Sequence, residues 1–591
     1  MDLRKHINIK GDIGLYKDKY NLWMNSEFVD EKTKEELRSI ADDPKELEDR
    51  FYQNLEFGTA GLRGILGAGK NRMNKYTVGF ATQGLANHIA KWGQKYKDKG
   101  VAIAYDSRNM SEEFAKTTAL ILCANGIRTY LFDSLRPVPV LSFAIRHLKC
   151  ISGIVITASH NPPEYNGYKV YWKEGYQLTP NQAQEISDEI SLIYDFKYIK
   201  TIDEEDAIAQ GFLHYISSEI DGPYNDAIVS QCLNRELIVE KGNHLNIVYS
   251  PLHGSGNVPL RKALKSVGFE HVYVVREQEK PDGNFPTVKV PNPEEISVFE
   301  LAKKLANEKN ADIIIATDPD ADRIGIAYKD KKGNYINLSG NQIGCILEYY
   351  LVSQLREKGD LPKNGVIIKS IVSTDLVDRI ADDFNVNVES TLTGFKYIGE
   401  KIEEYANTKL RKYILGFEES YGYLVGDHTR DKDAVGASLI LCEMALYYKE
   451  NGKNLGDVLE EIYQAYGYYI DCIESIKLGG KEGSERLKKI AAFFRKDLPM
   501  KWAGLNVQYI EDYLQGKRNT VGEGTEKLSL PQSNVIKIYL EDDSWFCVRP
   551  SGTEPKIKIY FSIRGKTLEE AKNKLEAIRD EVMKKAMEAQ N

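Results

Sequence analysis

Three aspartates alternate with other residues in Asp318-Pro-Asp320-Ala-Asp322-Arg323, directly after the apolar run Ala311-Asp-Ile-Ile-Ile-Ala316. Alternate residues of an extended loop can converge on one point, and a cluster of carboxylate oxygens suits a hard divalent cation, Mg²⁺ or Ca²⁺. Without a cation the three carboxylates would repel one another. A calcium-binding EF-hand loop is excluded, because its sixth and twelfth positions require Gly and Glu where this chain has Arg323 and Lys329. A phosphatase loop of the DxDx[T/V] type stays open, weakened by Asp322 at the fifth position, and a solvated acidic turn is the plain alternative.

A second strand tip carries Thr157-Ala-Ser159-His160-Asn-Pro-Pro, after Ile151–Ile156. The two prolines forbid a regular continuation. Ala158 and His160 do not fit the G-x-S-x-G elbow of a serine hydrolase. In an extended segment neighbouring side chains point to opposite sides, so His160 is not expected to reach Ser159. Two readings remain: an ordinary turn serine, or a phosphate carrier whose charge of about −2 would be neutralised by a cation at the aspartates.

Other loops are weaker on their own. Arg549-Pro-Ser551-Gly552-Thr553 offers backbone N–H groups, two hydroxyls and a guanidinium fork, which suit a phosphate, but a hairpin turn reads the same way. Gly416-Phe-Glu418-Glu419-Ser420, followed by Arg430 and Lys432, could grip sugar hydroxyls and supply a basic group, or form a surface salt-bridge loop. Phe57-Gly-Thr59-Ala-Gly-Leu-Arg63 is a turn with one arginine. The nearby Gly64–Asn71 fails as a nucleotide phosphate loop, since Asn71 replaces Ser/Thr.

These loops need a frame. Apolar runs at Val101–Ala104, Gly153–Ile156, Leu245–Tyr249, Ala311–Ala316, Gly365–Lys369 and Tyr413–Leu415 read as strands alternating with amphipathic helices, the pattern of α/β units. Three of them end in a polar loop, and ligands of open α/β sheets sit beyond the carboxyl ends of strands. A charged helical preface precedes them. The C-terminal stretch alternates as strands and then opens a helix at Thr567. Glu570 completes a capping-box pattern there, and Leu568, Ala571, Leu575, Ile578 and Val582 form an apolar stripe. The expected fold is three related α/β domains plus a smaller C-terminal α+β domain around a central cleft. The expected boundaries are 1–205, 206–330, 331–465 and 466–591.

The bulk properties narrow the function class. With 42% hydrophobic and 28% charged residues the chain is an ordinary globular protein. A formal net charge of −8 argues against nucleic acid or an anionic membrane as partner. Seven scattered cysteines show no zinc or disulfide spacing and fit a reducing compartment. No apolar run approaches the roughly 18 residues of a membrane helix, and the N-terminus is too polar for a signal peptide. A cytoplasmic enzyme is expected.

TASHNP, DPDADR, GFEES and RPSGTEP, in this order, resemble the motifs of the α-D-phosphohexomutases, and the resemblance spans Phe57 to Tyr560. It implies Ser159 as phosphoryl carrier and, with Asp318, Asp320 and Asp322, as a Mg²⁺ ligand. It implies Glu418 and Ser420 on substrate hydroxyls, and Arg549, Ser551, Gly552 and Thr553 on the phosphate that does not react. Arg63, His160, Lys169 and Lys432 match catalytic positions; Thr59, Arg323, Thr393, Gly394, Lys396, Arg430 and Lys558 match substrate-binding ones. Lys558 departs from the arginine common in relatives and loses its fork.

GFEESYGYLVGDHTRDKDAV and SPLHGSG resemble the branch of glucose-preferring bacterial mutases, phosphopentomutases and glucose-1,6-bisphosphate synthases. The implied reaction interconverts glucose 1-phosphate and glucose 6-phosphate through a phosphoserine and glucose 1,6-bisphosphate, which also serves as activating intermediate. A phosphopentomutase acting on ribose or deoxyribose phosphates, a glucose-1,6-bisphosphate synthase and a Mg²⁺-dependent sugar phosphatase are the alternatives. Lys169 and Lys432 are candidates for proton transfer. No nucleic acid, membrane or obligate protein partner is implied.

Overall fold

The computed structural model describes residues 12–58, 61–478, 480–496, 498–551 and 556–590. Thr59, Gly552 and Thr553 lie outside the described residues. The chain divides into two compact units, the first made of 1–337, 399–407 and 422–447, the second of 338–398, 408–421 and 448–591.

The first unit opens with helices Asp12–Asn25, Glu31–Ser39 and Pro44–Phe51. Asp30 and Asp43 cap the second and third through their side chains, and Pro44 sits where a missing N–H costs nothing. These helices close over Trp23, Phe51, Tyr76 and Phe196, whose rings meet edge to face.

A six-stranded sheet follows in the order Leu62–Ile65, Tyr165–Trp172, Ser152–Ile156, Val101–Tyr105, Thr129–Phe132, Leu213–Ile216. Its last four strands are parallel, and the first two run antiparallel to their neighbours. Val101–Tyr105 and Ser152–Ile156 are buried along their whole length, which is why they read as continuous apolar runs. The second sheet orders Tyr335–Asn337, Ile324–Lys329, Ile313–Thr317, Ile247–Ser250, Val272–Val274, with the last three parallel. Two expected boundaries are corrected by pairing. Leu213–Ile216 belongs to the first sheet and Tyr335–Asn337 to the second, so the first two domains run past 205 and 330.

In the second unit, Asn387–Thr391, Gly365–Ser370 and Lys412–Glu418 form a parallel ladder. An antiparallel sheet then runs Tyr468–Lys477, Lys556–Gly565, Trp545–Pro550, Ile536–Leu540, Leu505–Asp512, Lys517–Thr520, Gly524–Lys527. Helices Gly480–Lys496 and Leu568–Ala589 pack on it around Ile490, Phe494, Ile578 and Val582. The expected capping box is half formed. Thr567 Oγ1 accepts from Glu570 N at 3.2 Å, but the Glu570 carboxylate takes the N–H of Lys566 instead of Thr567. Leu568 is 43% exposed and drops out of the stripe, which Ala586 continues at the far end. At the first helical turn the stripe has only begun to meet the sheet.

Candidate active site

All three aspartates of the loop after Ile313–Thr317 are buried, and their carboxylate oxygens lie within 4.8 Å of one another. Pro319 and Ala321 space them, and Ala321 adopts φ 49°, a left-handed turn that brings the alternate side chains together. Burial first, then the charges of Asp320 and Asp322, pushes Asp318 well above the usual carboxylate range. Burial would raise Asp320 too, but Lys169 outweighs it and holds that group low. Oδ1 of Asp320 and Oδ1 of Asp322 are buried with no hydrogen-bond partner among the described residues. A hard cation satisfies both orphaned oxygens and removes the mutual repulsion, so this donor set fits a divalent metal.

Ser159 is brought to that cluster. Its Oγ donates to Asp318 Oδ2 at 2.8 Å, and its backbone N donates to Thr157 Oγ1 at 2.8 Å. Thr157 in turn donates to Asp320 Oδ2 at 3.1 Å. The serine is not extended: its φ is 54°. This overturns the expectation that His160 points away, since Nδ1 of that ring stands 3.1 Å from Ser159 Oγ. Burial first, then Arg323 and Arg63, keeps the imidazole well below its usual range, hence neutral.

Two lysines complete the ring of charge. Lys169 comes from Tyr165–Trp172 and places Nζ 2.9 Å from Asp320 Oδ2. Lys432 comes from the loop after Gly422–Val425 and lies 3.2 Å from Asp322 Oδ2 and 3.3 Å from Asp431 Oδ1. Arg323 reaches Glu294 at 2.5 Å, and Arg63 donates to Asn161 Oδ1 at 3.2 Å.

Arg430 departs from the expectation that it binds substrate. It is 1% exposed, and its guanidinium bonds Glu403 at 2.9 Å and the carbonyls of Asp427 and Thr429. That arginine braces the loop that carries Lys432.

Sequence reasoning missed Arg108. It follows Val101–Tyr105, so it too sits at a strand tip, and that shared placement was the available signal. The side chain is buried and spends its fork on the backbone of the serine loop. Nη2 donates to Ser159 O at 2.5 Å and to Asn161 O, and Nη1 to Pro162 O at 2.9 Å and Tyr165 O at 3.0 Å. The ring of Phe285 covers it at 4.9 Å.

The second unit gathers a separate set. Glu418 and Glu419 end the strand Lys412–Glu418, both buried. Glu418 Oε1 accepts from Gly394 N at 2.7 Å, and Glu419 Oε2 accepts from Ser370 Oγ at 2.9 Å. Next to them Thr393 Oγ1 is buried with no hydrogen-bond partner among the described residues. Ser420 and Lys396 are half-buried on the same segments. Arg549 sits opposite Lys558 across two strands and donates to Tyr560 Oη at 3.3 Å, with Ser551 at the tip. The charges of Glu419 and Glu418 favour the protonated guanidinium of Arg549, after its bond to Tyr560, and Lys558 acts on Glu419.

Four family models match in order along the chain. They are described as phosphoglucomutase/phosphomannomutase α/β/α domain I at residues 54–195, domain II at 222–333, domain III at 339–466, and the C-terminal domain at 498–581. The chain is 37% identical over 529 residues to the phosphoglucomutase of Staphylococcus haemolyticus, covering 87% of this chain and 91% of that one. It is 37% identical over 534 residues to that of Staphylococcus aureus, covering 90% and 94%. Among solved structures, the open form of parafusin, a phosphoglucomutase of Paramecium, superposes with TM-score 0.68 at 18% identity, covering 91% and 95%. A family protein of Burkholderia thailandensis superposes with TM-score 0.62 at 19% identity, covering 90% and 98%. Among the described residues no helix is long and apolar enough to cross a membrane.

Proposed function

The chain belongs to the phosphoglucomutase/phosphomannomutase family, and from that premise we propose that it is a phosphoglucomutase, interconverting glucose 1-phosphate and glucose 6-phosphate. The observation that carries the reading is the 2.8 Å contact between Ser159 Oγ and Asp318, a hydroxyl delivered to a buried carboxylate cluster.

Phosphorylated Ser159 is the donor. A free hydroxyl of the sugar phosphate attacks its phosphorus, the P–Oγ bond breaks as the new P–O bond forms, and the hydroxyl proton passes to a base. Lys169 and Lys432 are the candidate proton carriers, since each already sits within hydrogen-bond reach of the aspartates that ring Ser159. Asp318, Asp320 and Asp322, with a Ser159 oxygen, are the groups that would hold Mg²⁺. When bound, that ion neutralises charge on the transferring phosphoryl group. The bisphosphate so formed is glucose 1,6-bisphosphate, which returns a phosphate to Ser159 from its other end.

Glu418, Ser420, Thr393, Gly394 and Lys396 are proposed to bind the sugar, with Arg323 and Arg63 near the reacting group. Arg549, Ser551 and Lys558, with Thr59, Gly552 and Thr553 from outside the described residues, are proposed for the remaining phosphate contacts. All seven cysteines are free thiols, which fits a reducing compartment such as the cytoplasm.

The test is the intact mass of the purified protein together with product analysis. An added phosphate located at Ser159 and lost in Ser159→Ala, with formation of glucose 6-phosphate from glucose 1-phosphate, is expected. Steady release of inorganic phosphate without isomer product would overturn the mutase, and a preference for ribose 1-phosphate would move the substrate to pentoses.

A further inference from the structure

A cavity of about 410 Å³ opens in the first unit where the helical preface meets the first α/β domain. Its lining mixes Leu55, Phe57, Phe80 and Ile190 with polar Gln53 and Ser191, and one cation, Lys70, stands among them. The volume falls within the range of small-molecule sites, roughly 300–1,000 Å³. It shares no lining residue with the aspartate cluster or the serine loop.

Lys70 is unusual for a lysine. Its ammonium group makes no hydrogen bond and no ion pair among the described residues, although the side chain is only partly exposed. Burial first, then the charge of Lys19, depresses its pKa, and no carboxylate offsets them. Glu56, the one acid on the cavity's edge, is exposed and does not reach it. Partial burial with no carboxylate partner among the described residues disfavours the charged form, while the ammonium stays open to the cavity. A cation beside apolar and aromatic side chains suits an anion on an apolar body.

We propose that this cavity is an effector site for a small organic anion with an aromatic body, its charged end on Lys70. The route to the active site is short. Phe57 precedes the turn closed by Gly58 and Gly61, and Leu62 begins the strand that follows it. Leu62 and Arg63 pair with Tyr168 and Gly167, the neighbours of Lys169, and Arg63 bonds Asn161 in the serine loop. A ligand that packs against Phe57 and Leu62 therefore biases the segment that presents Arg63. The binding itself is independent of which sugar phosphate the enzyme uses.

The experiment titrates the full-length protein with 1-naphthylacetate and with its neutral amide by calorimetry, in the wild type and in Lys70→Met. Met keeps the length of the side chain and removes the charge. The acid should bind at least tenfold more tightly than the amide, and Lys70→Met should abolish that difference. The ligand-free variant should unfold at a higher temperature than the wild type, because an unpaired cation has gone. Saturating acid should shift kcat of the wild type and leave that of Lys70→Met unchanged. Equal affinity for acid and amide, no binding, or a lower unfolding temperature in Lys70→Met would overturn the site; binding without any change in kcat would overturn its coupling to the Arg63 segment.

Discussion

Arg108 should control turnover without touching the substrate. The serine it serves is held at φ 54°, a left-handed backbone that costs an ordinary residue about 1–2 kcal/mol. The hold comes from the guanidinium, which reaches the carbonyls of Ser159, Asn161, Pro162 and Tyr165. Each buried carbonyl left without its donor costs about 1–3 kcal/mol, so loss of even one contact rivals the strain being held. In Arg108→Ala the loop is expected to relax. Release of the strain alone lowers the population of the reactive Ser159 conformer by about 5–30-fold.

The assay is steady-state kinetics with glucose 1-phosphate on a variant whose thermal unfolding remains cooperative. kcat should fall by at least that factor while KM stays near the wild-type value, because Arg108 spends its donors on backbone oxygens. Added guanidinium should restore part of kcat in Arg108→Ala. Arg108→Lys should recover little, since a lysine offers three donors from one point where the fork offers five in a plane. A kcat within about two-fold of wild type in Arg108→Ala would refute the reasoning.

Gly422→Ala tests Lys432 without changing its chemistry: a Cβ there would lie 2.1 Å from Lys432 Cδ, so the lysine must leave Asp322, and kcat should drop in a protein that still folds. Glu419→Gln tests a buried acid whose pKa is raised from 4.5 to about 7 by burial and then by Glu418. The folded wild type holds that proton while the unfolded chain loses it, so stability declines as pH rises from 4.5 to about 7 by about 3 kcal/mol and then levels. The variant should therefore gain on the wild type in thermal unfolding as pH rises through that window, and a difference that is flat with pH would refute it. Lys169→Met removes a cation 2.9 Å from Asp320, so it should lower kcat by about 100-fold or more yet raise affinity for Mg²⁺. A fall in Mg²⁺ affinity would show that the lysine only props Asp320 in place.

The carboxylate cluster was legible because three aspartates at alternate positions after an apolar strand can converge on one point and repel one another unless a cation joins them. The parallel strands were legible because buried central strands leave continuous apolar runs. What sequence could not supply was the backbone sign at Ser159, where a left-handed turn places His160 beside the hydroxyl. Arg108 and Arg430 mark the same limit from two sides. Both are arginines in polar loops, one unnoticed and one expected at the substrate, and only their hydrogen-bond partners show that both brace backbone. Domain edges were misread because Leu213–Ile216 and Tyr335–Asn337 are short edge strands whose membership is decided by pairing.

The division of oxygens within the aspartate cluster links these observations. Lys169 and Thr157 both use Oδ2 of Asp320, and Lys432 uses Oδ2 of Asp322, while Oδ1 of each has no hydrogen bond among the described residues and that of Asp322 has only the Arg323 Nε at 3.8 Å. Each of these two carboxylates thus gives one oxygen to a lysine and leaves the other without a hydrogen bond, as an oxygen that would hold a cation does. Since both oxygens share one negative charge, a cation held by this cluster would weaken the hold on the lysines at Oδ2. The two lysines are then freest to exchange protons when the carboxylates are otherwise neutralised, which is also when the phosphoryl group on Ser159 can approach them. An acid cluster that served the metal alone would have no reason to be ringed by lysines, and one that served the lysines alone would not leave two buried oxygens without a hydrogen bond.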